Sequence, residues 1–375
     1  MNLIEKLTEY RRDLHMIPEL DTELEKTASY VENVLDRLSC RVSRVEDPKG
    51  KNRFRGILAY FDFGKDSAIC FRSDMDALPI TEQNDVSYRS EHEGAMHACG
   101  HDGHMAMLLA FAEVLDAGQV KPNHNVLLVF QPAEETTGGA RVICRSRAFE
   151  KYNVKNVFGI HLWPYIDAGK LSSRKGPMMA KSSEINIDIE GVSAHCTAAE
   201  EGRDALACGC RLLDKIYSFE EVSEEAPSIL KFGKMISGDV RNAISPHTRI
   251  EGTLRCLDLE TFDAIVSKME PAASDMEEAT GCKITVAHSE GYPPVTNDAK
   301  VFDAIRPALD ILGFEELAAP SMIAEDFSFY QLEVPGVFMY LGTGTNIPLH
   351  SDTFDFDEKI LEQGVAAYQK ISETV

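Results

Sequence analysis

Nine consecutive residues, Met96-His97-Ala98-Cys99-Gly100-His101-Asp102-Gly103-His104, bring together three imidazoles, a thiol and a carboxylate. Deprotonated sulfur, neutral ring nitrogen and carboxylate oxygen are the donors that divalent metals prefer. Met105 to Leu115 follows as MAMLLAFAEVL, an apolar helix, so the cluster lies at a helix N-terminus. The unpaired backbone N–H groups and the helix dipole there are expected to favour the thiolate of Cys99. A thiol redox site is the competing reading. It is the weaker one, because there is no Cys-x-x-Cys, and Cys208-Gly209-Cys210 reads most simply as small residues of a distant helix.

More acids and imidazoles follow short apolar runs. Ala68–Phe71 leads into Arg72-Ser73-Asp74-Met75-Asp76, and Val126–Phe130 into Gln131-Pro132-Ala133-Glu134-Glu135. Val157–Ile160 ends in His161, and Val337–Leu341 leads through Gly342 and Gly344 to His350. In open α/β sheets ligands bind beyond the carboxyl ends of the strands. Convergence of such groups on one sheet edge is what a rigid metal site requires. Taken singly, each has a plainer role: Glu134 and Glu135 as a solvated loop pair, His161 as a hydrogen-bonded structural histidine, Asp74 and Asp76 as caps. His97, Asp102 and His104 are read as support, since one short segment cannot aim every ring at one metal.

The framework that carries these groups is legible in the hydrophobic pattern. Helices are expected over Asn2–Leu14 and Glu23–Leu38, and continuous apolar strands alternate with helices up to residue 178, which indicates a mostly parallel sheet covered on both faces. After Lys175 the pattern changes. Ser183–Ile189 alternates strictly, as a half-buried strand does, and is followed by a helix (Asp204–Tyr217), strands Ser228–Ile236 and His247–Leu254, a helix (Leu259–Ala279) and a strand (Cys282–His288). That βαββαβ order is ferredoxin-like. Helix Asp298–Leu312 and strand Val337–Leu341 then resume the first pattern. The expected organisation is an α/β domain over 1–178 and 291–375, interrupted by an α+β domain over 179–290.

Bulk properties narrow the partners. With 38 basic and 61 acidic residues the chain carries a net charge of −23, which argues against nucleic acid and anionic membranes. No apolar run approaches the ~20 residues of a membrane span, and MNLIEKLTEYRRDLH lacks the apolar core of a signal peptide. Nine cysteines, an odd number scattered along the chain, read as reduced thiols and hence as a cytoplasmic protein.

The segments RRDLHMIPEL (11–20), RSDMDALPI (72–80), MHACGHDGH (96–104), QPAEETTGGA (131–140), GIHLWP (159–164) and EDFSFY (325–330) together resemble the M20 peptidase family. The subgroup they are most similar to contains metal-dependent N-acyl-amino-acid amidohydrolases such as aminoacylases and hippurate hydrolases. The resemblance implies a zinc-exopeptidase-like mixed sheet flanked by helices, with an inserted ferredoxin-like α+β dimerisation domain. It also implies two divalent metal ions per subunit, zinc or manganese with cobalt or nickel as alternatives. The implied ligands are Cys99, His101, Glu135, His161 and His350, with the Cys99 thiolate a candidate bridge. Glu134 would be the general base, and Asp76 would orient the cluster without ligating it. In the inserted domain, His195 of Gly191-Val192-Ser193-Ala194-His195 would reach the active site of the partner subunit of a homodimer, while Asn242 and Arg255 would bind the substrate α-carboxylate.

The implied reaction is hydrolysis of the amide bond of a small N-acyl-L-amino acid. N-acetyldiaminopimelate deacetylase or dipeptidase activity, and an inactive metal-binding paralogue, are the alternatives. This chain departs from the family pattern at Ala199, Glu200, Ala243, Ser245 and Ser351-Asp352, none of which is an implied ligand.

Overall fold

The computed structural model describes residues 2–45, 56–220 and 227–375. They form two compact units. The first comprises residues up to 178 together with 296–319 and 326–375, and the second 179–295 with 320–325. The insertion thus ends at 295 rather than 290, and a further short segment, 320–325, returns to it.

The first unit is built on an eight-stranded sheet. Across it lie Arg41–Val45, Gly56–Phe61, Asn125–Gln131, Ala68–Asp74, Val154–Trp163, Gly336–Gly342, Leu171–Ser173 and Glu315–Glu316. The four central strands, Asn125–Gln131 to Gly336–Gly342, run parallel. Three of them are buried at every residue, as their uninterrupted apolar runs require for a sheet covered on both faces. Arg41–Val45 and Gly56–Phe61, which are not among the expected strands, add antiparallel pairings, as does Leu171–Ser173, and make the sheet mixed. Phe71 packs edge-on against Phe111 and Tyr368 of helices His101–Asp116 and Leu361–Thr374 on one face. On the other face Phe338 packs against Phe327.

Helix His101–Asp116 is the platform for the metal-type cluster. Every residue but Glu113 and Asp116 is buried, including Met105, Leu108, Leu109, Phe111 and Leu115. Burial stabilises each such large side chain by about 1.5–3 kcal/mol before entropy is counted, so the first turn of this helix has a fixed place. The N-terminal helix, Leu3–Met16, starts at a capping box between Asn2 and Glu5 and buries Leu7, Tyr10, Arg11, Leu14 and His15 on one face.

The second unit has a four-stranded antiparallel sheet in the order Lys283–His288, Lys181–Glu190, His247–Cys256, Ser228–Ser237. Helices Ala205–Tyr217, Leu259–Val266 and Met269–Thr280 complete a ferredoxin-like βαββαβ arrangement around a core that includes Ile185, Ile187, Leu212, Ile250 and Phe262. The single helix expected over Leu259–Ala279 is two helices. Pro271 has no N–H and its ring clashes with the carbonyl four residues back, at Ser267, so it is tolerated only in the first turn of a new helix. No helix among the described residues is long and apolar enough to cross a membrane.

Candidate active site

The parallel strands end in register, with Asp74 opposite Gln131 and His161 opposite Tyr340. Beyond Gln131 the chain turns at Ala133, which takes a left-handed φ of 61°. The turn aims the next two N–H groups at one acceptor: Glu134 N and Glu135 N donate to the Asp76 carboxylate at 3.0 and 3.1 Å. The Asp76 carbonyl accepts from His101 Nδ1 at 2.8 Å, which leaves His101 Nε2 without a proton. His161 is fixed in the same tautomer, since its Nδ1 donates to the Leu162 carbonyl at 2.7 Å. Its Nε2 lies 3.5 Å from Cys99 Sγ.

The result is a set of unsatisfied donors. His101 Nε2 and Glu135 Oε1 are buried, 3.9 Å apart, and make no well-aligned hydrogen bond with the described residues. His350 Nε2 approaches Glu135 Oε1 at 3.2 Å. Ligand atoms of Cys99, His101 and Glu135 all lie within 4.8 Å of one another. Buried polar atoms are normally paired, so a thiol, two imidazole lone pairs and a carboxylate facing one another fit a divalent cation. His104 is different. Its Nδ1 donates to Asp74 at 2.6 Å and its Nε2 accepts from Leu162 N–H at 2.8 Å, so both nitrogens are occupied.

The electrostatics correct one expectation. Burial, with Glu135 and Glu134 nearby, pushes the Cys99 thiol well above its ordinary range. Gly100 caps the helix N-terminus beside it in a left-handed conformation. A thiolate here requires a cation. Burial also pushes His101 down, and His161 down to about 3, so both imidazoles are neutral, as ligation demands. Burial raises Glu135, but His350 and His101 outweigh it and leave the carboxylate lowered. Burial raises Asp76 despite its two N–H donors.

His350 reaches the cluster from a strained backbone, with φ 66°, and its N–H donates to the Ala98 carbonyl at 2.8 Å. The segment after it packs into notches that only glycine leaves open. A Cβ on Gly100 would meet Leu162 Cδ1 at 2.9 Å and Phe354 Cε1 at 3.5 Å, and one on Gly103 would meet Phe356 Cζ at 2.8 Å.

The other three candidates lie in the second unit. His195 is exposed at the start of a short 3₁₀ turn, where its Nδ1 lies 2.8 Å from the Thr197 hydroxyl and 3.3 Å from Thr197 N. Asn242 is brought beside it by pairing of 194–196 with 242–244, in which the Asn242 carbonyl accepts from Cys196 N. Arg255, on strand His247–Cys256, is half-buried, and its Nη1 donates to the Met322 carbonyl at 3.0 Å. Burial alone lowers it, with no carboxylate offsetting the effect.

Several residues that support the cluster carry no ligand signal in the sequence. Arg72 donates to Gln131, Asp74 and Asp326 at 2.9, 2.7 and 2.7 Å, and Asp326 in turn accepts from Gln131 and from Ala140 N. Arg11 and His15 both reach Asp102, at 3.0 and 2.7 Å. Their signal was a cation and an imidazole four residues apart on an otherwise apolar helix face.

A sequence model of the peptidase family M20/M25/M40 matches residues 70–374. A Staphylococcus haemolyticus protein named as an uncharacterized hydrolase is 33% identical, over 99% of this chain and 98% of its own length. Among solved structures, the Bacillus subtilis YXEP protein, described as a dinuclear metal-binding peptidase of the M20 family, superposes with a TM-score of 0.86 at 27% identity, covering 99% of this chain and 97% of that one. An aminobenzoyl-glutamate utilization protein of Klebsiella pneumoniae shares the fold, with a TM-score of 0.71 at 20% identity over 99% of this chain and 95% of its own.

Proposed function

Because the chain belongs to the peptidase family M20/M25/M40 and is a hydrolase, we propose that it hydrolyses the amide bond of N-acyl-L-amino acids, releasing a carboxylic acid and a free amino acid. The observation that carries a metal-dependent reaction is the buried His101 Nε2, which has no hydrogen-bond partner among the described residues and faces Glu135 Oε1, Cys99 and His161. Cys99, His101, Glu135, His161 and His350 would hold two divalent ions, zinc or manganese, with cobalt or nickel as alternatives. Bound there, the ions would supply Lewis-acid polarisation of the amide carbonyl and lower the pKa of water.

The chain's own groups divide the remaining tasks. Glu134, a buried carboxylate fixed through its N–H to Asp76, takes the proton from water and returns it to the leaving amine. Asp76 sets the tautomer of His101 through its carbonyl and aims both glutamates through its carboxylate. His195 donates to the developing oxyanion in the active site of a second copy of the chain in a homodimer. Arg255, with Asn242, holds the substrate α-carboxylate, which suits a half-buried guanidinium with no carboxylate partner among the described residues. A free-thiol state for all nine cysteines is in keeping with a cytoplasmic setting.

The test is a substrate panel on metal-reconstituted protein: N-acetyl, N-benzoyl and indole-acyl amino acids, N-acetyldiaminopimelate and dipeptides. Turnover concentrated on N-acyl-amino acids is expected. Cleavage of dipeptides alone, or none across the panel with metal bound, overturns the proposal.

A further inference from the structure

The motif RRDLH takes no part in the chemistry above, yet Arg11 is one of the largest wholly buried side chains of the protein. Its guanidinium joins two ligand-bearing segments. Nε donates to Asp102 Oδ2 at 3.0 Å, next to His101, while Nη2 donates to Asp355 Oδ1 at 2.6 Å and Nη1 reaches Glu358 Oε1 at 3.5 Å. Its plane lies 4.6 Å from the Phe356 ring centroid and 4.9 Å from that of Tyr88, whose hydroxyl donates to the second Asp355 oxygen at 2.8 Å. Asp355 and Glu358 belong to the segment that begins at His350.

That segment needs holding. A non-glycine residue at positive φ costs on the order of 1 kcal/mol and persists only where its surroundings over-determine it. His350 has φ 66° and is half-exposed, so its own packing does not fix it. Its polar anchors include Ala98 O on its N–H, Gln83 N on Asp352 O at 2.8 Å, Asn84 on the Phe354 carbonyl, Tyr88 on Asp355, Arg12 on Glu358, and the Arg11 pairs. Of these polar contacts, the Arg11 pairs link the segment through Asp102 to the helix that starts at His101, beside the packing of Phe356 on Gly103.

We propose that Arg11 is a positioning residue that holds His350 in register with Cys99, His101 and Glu135, and that its specific effect is on retention of the metal ion His350 would bind. This rests on the two-ion reading above. A lysine keeps the charge but, as a point charge on a flexible stem, cannot serve Asp102 and Asp355 together in fixed planar geometry.

The experiment is competition of zinc against a chromophoric chelator, with metal analysis of the purified proteins, on wild type, Arg11→Lys and Asp355→Asn. The Asp355 variant keeps the buried Arg11–Asp102 pair and protects the test against a misfolded Arg11 variant. Two ions per wild-type chain are expected. Both variants should bind one ion with unchanged affinity and the other at least 10-fold more weakly, with kcat restored at saturating zinc. Equal weakening of both ions, or unchanged affinity in both variants, overturns the proposal. A wild-type chain that binds no zinc overturns the metal reading and this inference with it. Two ions bound by a chain that cleaves no N-acyl-amino acid would overturn the substrate reading and leave this inference standing.

Discussion

The two units hold their candidate residues in opposite ways. In the sheet unit, His101, His161 and the Glu134-Glu135 pair are each fixed by hydrogen bonds to backbone or carboxylate, while His101 Nε2 is left with no hydrogen-bond partner among the described residues. In the ferredoxin-like unit, His195 and Asn242 are exposed, and Arg255 Nη1 donates to the Met322 carbonyl. A metal site requires donors oriented before the ion arrives, because buried lone pairs cannot search for it. Groups that grip a substrate must stay open until it binds. The first arrangement fits preformed ligands, and the second fits the substrate-gripping role proposed for His195, Asn242 and Arg255.

The largest expected effect tests the first half of that contrast. Glu134→Ala should lower kcat by about 10³–10⁴-fold, the upper range for loss of a general base, while metal content stays that of the wild type. Loss of metal instead would mean that Glu134 and Glu135 have exchanged roles. His195→Ala tests the second half. It should cost about 10²–10³-fold in kcat, as removal of one oxyanion donor does, with melting temperature and metal content unchanged. Mixing that variant with Glu134→Ala should restore part of the activity if His195 serves the other copy. No recovery in chains shown to exchange subunits would place His195 outside a shared site.

Asp76→Asn sharpens the contrast at a smaller scale. An asparagine presents one oxygen and one NH₂, so it accepts from one of Glu134 N and Glu135 N and repels the other. Loss of such a support typically costs 10–100-fold in metal affinity, and zinc competition should show about that loss with the fold intact. Unchanged affinity would mean that the cradle is not what aims Glu135.

The sequence made the candidate ligands legible because few residue types bind metals and the apolar runs place them at strand ends. The inserted ferredoxin-like unit was legible too, since Ile185, Ile187 and Ile189 alternate without interruption. What holds the donors was not. The tautomers of His101 and His161 depend on the carbonyls of Asp76 and Leu162, which any residue type supplies. Arg11 and Asp102 are 91 residues apart and meet only once helix Leu3–Met16 packs on helix His101–Asp116. The Cys99 thiol was misjudged because a helix N-terminus is a local feature of sequence, whereas burial beside Glu134 and Glu135 is a tertiary one.

The smallest expected effect concerns His15, in the support layer of the sheet unit. Its Nδ1 is 2.7 Å from Asp102 Oδ2 and its Nε2 3.2 Å from Glu82 Oε1, with Arg11, Tyr88 and His97 also around it. Burial alone would push this imidazole down, but the hydrogen bonds to Asp102 and Glu82 outweigh it and leave it raised. Glu82 is raised by burial but lowered on balance by His15 and by Ser90 N–H. A raised histidine contributes stability that is complete below its unfolded value of about 6.5 and is lost as pH rises through the folded one. A lowered glutamate contributes above its unfolded value of about 4.3 and loses that as pH falls through the folded one. The stability difference between wild type and His15→Gln, from urea unfolding at saturating metal, should therefore be widest between about pH 4.3 and 6.5 and narrow on the alkaline side. A difference that is flat from pH 5 to 9 would mean that His15 is held neutral beside Asp102.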